Sequence, residues 1–338
     1  MTYIDESLAR GLASRFLAEA NDRVNTIINC INKIDPNSST KKGWLIKHRK
    51  LAGCARRAAF NYFELGTKSK PAIAFIGVTP EQHHFKSWEE RCLTGQVLMF
   101  QYESSACSEP EPIPFVISHH AIARLFMRCP NLKGMTESWD YEKLLALMQP
   151  LLSWSVVWDA CVKGAQYENF RRIEDSKIPY RFSPVIPSPY GLFFCETSYS
   201  DQRVNVRTFV GNDQLRDEQR ELQKVLWDVQ RGFEDLPVSL HPWTFFSGVR
   251  RTEIYLLLFI DRLVKHAPLV SKFVCDGLTN EELAALKEVG FLSSSTVKDF
   301  DPFGMEPQAF FWGVLKRFKE LERERRNHKS SQSIRLNL

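Results

Sequence analysis

The sequence has no Cys-x-x-Cys pair. Its eight cysteines, Cys30, Cys54, Cys92, Cys107, Cys129, Cys161, Cys195 and Cys275, are scattered along 338 residues. Zinc-ribbon and dithiol redox chemistry therefore have no spacing to build on. There is also no G-x-G-x-x-G, Walker A loop, H-E-x-x-H or nucleophile elbow, so nucleotide-cofactor enzymes and zinc peptidases lose their usual signatures. Apolar runs are short. Tyr255–Ile260 lies between Glu253 and Asp261, whereas a membrane helix needs roughly 20 apolar residues. The segment Met1–Glu6 carries neither a basic nor an apolar leader region, so no secretion signal is expected. Cysteines among apolar neighbours, as in Phe193-Phe194-Cys195 and Phe273-Val274-Cys275, predict buried free thiols in a reducing cytoplasm. Cys54, near Arg56 and Arg57, comes nearest to an activated thiolate, but its helical setting favours packing.

What remains is a folded protein of ordinary composition, 43% hydrophobic and 25% charged, which excludes global disorder and fibrous architectures. Leu8, Leu12, Phe16, Ala20, Val24, Ile27 and Ile31 recur at helical spacing over residues 6–33, and Asp35-Pro36-Asn37 ends the pattern. A second helix is expected over about 43–64. Strands follow at 71–78, 96–102, 115–118, 191–196 and 204–210, with a hairpin loop at 198–202. Between them, residues 141–162 have helical composition, broken or kinked at Pro150. Helical spacing returns over 213–231. Further helices are expected over 243–266, after the capping-box sequence Thr279-Asn280-Glu281-Glu282, and over 307–326. The reading is an α+β protein with a small mixed central sheet flanked by N-terminal and C-terminal helical regions. Its expected divisions are 1–66 helical, 67–235 mixed, 236–327 helical and 328–338 a polar tail.

The net charge of +5 is unremarkable, but its distribution is not. Residues 41–57 hold Lys41, Lys42, Lys47, Arg49, Lys50, Arg56 and Arg57 and no acid. Residues 316–335 are also basic, although Glu320, Glu322 and Glu324 alternate with the arginines as on an exposed helix. The remainder is acidic. Such asymmetry suits a polyanion, and phosphate contacts need only charge and reach. Lys47, Arg49, Lys50, Arg56 and Arg57 are the candidate nucleic-acid contacts. The same stripe equally fits a solvated helix face or an acidic protein partner.

The most distinctive stretch is Ser118-His119-His120-Ala121-Ile122-Ala123-Arg124-Leu125-Phe126-Met127-Arg128. His120, Arg124 and Arg128 stand four residues apart and share a helix face. Guanidinium groups grip phosphate bidentately, and an imidazole moves protons near neutral pH. A structural alternative pairs Arg124 and Arg128 with Glu137 or Asp140. The histidine doublets His83-His84 and His119-His120 lack metal-ligand spacing, so no metal and no cofactor are expected.

The pattern Ser-x-His-Ala-x-x-Arg-x-x-x-Arg, with the strands Gly191-Leu192-Phe193-Phe194 and Val206-Arg207-Thr208-Phe209 after it, resembles the BrnT and RelE ribonuclease toxins over residues 113–210. The resemblance implies a prokaryotic mobile-element or defence protein that cleaves RNA. His120 would be the acid/base and Arg124 and Arg128 the phosphate ligands. The alternative is a non-catalytic helical subunit docked on a protein partner.

Overall fold

The protein is described from a computed structural model. It covers residues 4–32, 46, 49–50, 53, 61–66, 71–85, 88–101, 111–151, 154–155, 157–158, 180–197, 203–234, 262–263, 265–266, 269–270, 273 and 275–277.

Helix α1 (Glu6–Asn32) starts where Asp5 Oδ1 accepts the Leu8 N–H at 2.9 Å, a side-chain cap. It buries Ala9, Leu12, Ala13, Phe16, Leu17, Ala20 and Ile27. The buried stripe is thus turned slightly from the expected one, and Leu8 is exposed at 43%. Alanines at 9, 13 and 20 let the helix sit close to its neighbours.

Strands β1 (Asn61–Gly66), β2 (Pro71–Phe85), β3 (Trp88–Gln101) and β4 (Glu111–Ser118) form an antiparallel meander. Helix α2 (His119–Arg128) leaves β4 directly and passes into a 3-10 turn, Pro130–Thr136. Helix α3 follows, with helical residues 141–151, 154–155 and 157–158. A second antiparallel meander comprises β6 (Val185–Ser188), β7 (Gly191–Thr197) and β8 (Val204–Gly211). Helix α4 (Asp217–Glu234) comes next. The short strands β5 (Tyr180–Phe182) and β9 (Cys275–Gly277) pair separately.

The two meanders join through one parallel pair, β4 against β8, giving a seven-stranded mixed sheet of order β1-β2-β3-β4-β8-β7-β6. This is the α+β architecture expected, with a larger sheet than a small one. One face carries Val78, Leu93, Phe115, Ile117, Val204, Val206 and Phe209 into the main core. Cys92 and Val116 form a separate buried pair. Helices α1 and α2 pack together, with α1 also against β2 and α2 against β8. Trp158 donates its indole N–H to the Val185 carbonyl at 3.0 Å, which holds α3 to β6. A bulge in β8 aids this arrangement. Cys195 pairs with Val206 and Phe194 with Thr208, leaving Arg207 extra, so Val206 and Phe209 both reach the core.

Several expectations need correction. Residues 61–64, expected to end the second helix, lie in β1, where pairing with β2 outweighs local spacing. Strand β1 pairs with β2 across residues 61–76, and α1 shares its core with the sheet. Pro150 lies within helical residues 141–151, and Leu151, Trp154 and Trp158 are buried; residues 152–153, just after the expected break or kink, lie outside the described residues. Cys30 is disulfide-bonded, contrary to the expectation of free thiols. Cys92, Cys129 and Cys195 are free and buried. The expected loop at 198–202 and the helices over 243–261, 279–290 and 307–326 lie outside the described residues. Among the described residues, no helix is long and apolar enough to cross a membrane.

Candidate nucleic-acid interface

Helix α2 begins because β4 ends in a good cap. Ser118 Oγ accepts the Ala121 N–H at 3.0 Å, and Glu90 Oε1, reaching across from β3, accepts the His120 N–H at 2.7 Å. Side chains thus satisfy two of the four orphan donors at this terminus. The His120 and Ala121 N–H groups are thus already engaged, and the basic face offered to a ligand lies further along the helix.

Ala121, Ile122, Ala123, Leu125 and Phe126 are buried, which turns His120, Arg124 and Arg128 to the half-buried side. The structure therefore brings the three predicted residues onto one face. Arg124 donates from Nε to His120 Nε2 at 3.4 Å, a contact in which that ring nitrogen is the acceptor and which favours the neutral imidazole. Burial lowers the His120 pKa from its ordinary value, and the Arg124 charge lowers it further. Glu90 pulls in the opposite direction.

Arg128 donates to the Phe209 carbonyl on β8. Strand β8 runs to Gly211, past the β4 residues that pair with it, and Arg128 supplies a donor on that stretch. The approach is close. A Cβ on Gly211 would sit 3.0 Å from the Arg128 carbonyl oxygen and 2.8 Å from Asp213 Oδ1. Burial and the Arg124 charge lower the Arg128 pKa, while Asp213 raises it. Arg128 is thus a structural tie as well as a cation.

Among the described residues, no carboxylate lies within ion-pair distance of Arg124 or Arg128. Asp140, offered as a partner by the sequence, accepts the Lys143 backbone N–H instead. Other arginines are engaged. Arg23 pairs with Glu19 at 2.7 Å and lies over the Tyr141 ring, Arg15 lies over Trp139, and Arg203 pairs with Glu81 at 2.8 Å.

His119, the other member of the doublet, fastens α2 to α1. Its Nε2 is 3.2 Å from the Arg10 carbonyl and 3.0 Å from Ser14 Oγ. A carbonyl only accepts, so Nε2 carries the proton and His119 is no base toward Ser14. The three free thiols among the described residues are equally unsuited to nucleophilic work. Burial pushes Cys92 up to about 12 and raises Cys129 and Cys195.

The basic stripe is only partly placed. Arg49 and Lys50 are exposed helical residues, whereas Lys47, Arg56 and Arg57 lie outside the described residues. Sequence reasoning missed Glu90, Glu6 and Arg10, all of which act on His120 electrostatically. Glu6 and Arg10 form an exposed pair on α1 at 2.7 Å. Nothing in their local spacing signals them, because only tertiary pairing brings α1 and β3 to α2. A helix opening immediately after a strand does call for capping acceptors, and that signal could have prompted a search for Glu90.

No protein-family model matches the chain, and no curated protein or solved structure matches it.

Proposed function

We propose that this is a nucleic-acid-binding protein that grips the phosphate backbone through Arg124 and Arg128 and uses His120 to move a proton during RNA cleavage. The observation that carries the reading is a pair of half-buried guanidinium groups with no carboxylate within ion-pair distance among the described residues, beside an imidazole whose pKa burial and Arg124 lower. Partly desolvated cations bind phosphate more strongly than fully hydrated ones. Phosphate bound to Arg124 would draw the guanidinium from His120 and free Nε2.

The chemistry follows. The RNA 2′-oxygen forms a bond to phosphorus as His120 Nε2 takes its proton. The bond from phosphorus to the 5′-oxygen breaks, that oxygen takes a proton from water, and His120 returns its proton to the hydroxide left behind. Arg124 and Arg128 stabilise the extra negative charge on the phosphoryl oxygens. DNA lacks the 2′-hydroxyl and would be bound but not cut. Arg49 and Lys50 add non-specific affinity. The resemblance to BrnT and RelE toxins supports a prokaryotic defence or mobile-element setting. The free buried thiols of Cys92, Cys129 and Cys195 support a cytoplasmic one, against the Cys30 disulfide.

Labelled RNA tests the proposal. The purified protein should bind it at low salt and release it as salt rises. It should also cut it, with His120→Ala losing cleavage while keeping a native circular dichroism spectrum. Absence of binding at low salt discards the reading in favour of a protein-docking role. Binding without cutting discards only the catalytic part.

A further inference from the structure

We infer that Glu90 is a positioning residue of the α2 site: from β3 its carboxylate fixes the first helical turn and favours the positively charged ring of His120 as it meets a phosphate. The inference rests on the phosphate-binding reading above. It begins from geometry. Glu90 Oε1 accepts the backbone N–H of His120 itself at 2.7 Å, and the Glu90 residue is half-buried. The carboxylate therefore stands at the start of the helix, where the backbone dipole favours negative charge. The same bond holds the His120 backbone in register, and with it the ring to which Arg124 donates one turn on.

Among the described residues, the charged groups that act on His120 come from three elements: Glu90 on β3, Glu6 and Arg10 on α1, and Arg124 on α2 itself. The two arginines and burial favour the neutral ring, while Glu90 and Glu6 favour the imidazolium. Glu6 is exposed and bound to Arg10, so solvent and its partner both screen it. Glu90 is the carboxylate anchored to the histidine. Without it, burial and Arg124 would suppress the imidazolium further. A phosphate docking on Arg124 adds negative charge and favours proton uptake by His120. Binding and protonation are therefore linked, and Glu90 raises the pH at which the link operates, against burial and Arg124.

Two variants separate the positioning role from ordinary stability. Glu90→Gln keeps an oxygen that accepts the His120 N–H but removes the charge, whereas Glu90→Ala removes both. The imidazole titration of His120 is followed by NMR in the free proteins, and affinity for a labelled single-stranded RNA is measured between about pH 8 and about pH 5.5. Glu90→Gln should fold normally and shift the His120 midpoint to lower pH. Its affinity gain on acidification should shrink severalfold relative to the unaltered protein. Glu90→Ala should show the same shift with a weaker helix start. An unmoved or raised His120 midpoint in Glu90→Gln overturns the inference. If the unaltered protein binds no RNA at any pH, the phosphate reading fails by itself, and the ligand-free titration still decides the role of Glu90.

Discussion

Arg124 and Arg128 look equivalent in the sequence, and the structure separates them. Arg128 spends a donor on the Phe209 carbonyl, whereas among the described residues Arg124 donates to His120 Nε2 and the Met127 sulfur. Arg128→Gln should therefore lower both stability and RNA binding, measurable as a drop in urea midpoint together with weaker affinity. Glycines mark the tightest approaches. A Cβ at Gly191 would fall 2.0 Å from the Val210 carbonyl oxygen. Backbone cannot yield as a flexible side chain would, so Gly191→Ala should cost on the order of 3 kcal/mol in chemical denaturation. His120 carries a pH prediction whose sign follows from its depressed folded-state pKa. Folding disfavours the imidazolium, so the His120 contribution is fully present above about pH 6.5, the unfolded value. It is lost as pH falls toward the folded pKa. Bound RNA should act the other way, raising the His120 midpoint in an NMR titration. At this scale the placement was legible: four-residue spacing put His120, Arg124 and Arg128 on one helix face. The occupants of their remaining valences were not, because Phe209 and Glu90 lie far away in sequence.

Among the elements, α2 is the one whose local sequence says most. Ser118 caps it, an apolar face follows, and a basic face remains. Ser118→Ala should cost about 1 kcal/mol and fray the turn that presents His120. RNA affinity should then fall alongside the thermal midpoint. Helix α3 depends on the Trp158 bond to the Val185 carbonyl. Trp158→Phe leaves that buried acceptor without its donor and should cost about 1–3 kcal/mol in urea denaturation. Helices α1 and α4 could be read from periodicity, since their apolar faces repeat over many residues. Strand β1 could not, because its short apolar content also fits the end of a helix until β2 lies beside it. Strand β6 was hidden by Pro187, which reads as a break. The strand lies at the sheet edge, where a missing donor is tolerated.

For the molecule as a whole, the consequential feature is the parallel seam between β4 and β8. It joins two meanders that are each local in sequence, and α2 leaves from one side of it to reach Phe209 on the other. Composition and strand spacing were enough to reveal the α+β class. The seam was not legible, because pairing between strands almost a hundred residues apart leaves no local trace. Phe16 on α1 shares the core with both meanders. Phe16→Ala should therefore cost about 3–5 kcal/mol and move a single unfolding transition rather than split off an N-terminal one. The central claim, that cations on α2 hold a phosphate chain, is tested most directly by the salt dependence of RNA affinity in Arg124→Gln beside the unaltered protein. The account predicts affinity roughly tenfold lower at low salt and a logarithmic slope shallower by about 0.7, the loss of one single-strand phosphate contact. Equal affinities and equal slopes in the two proteins would contradict it.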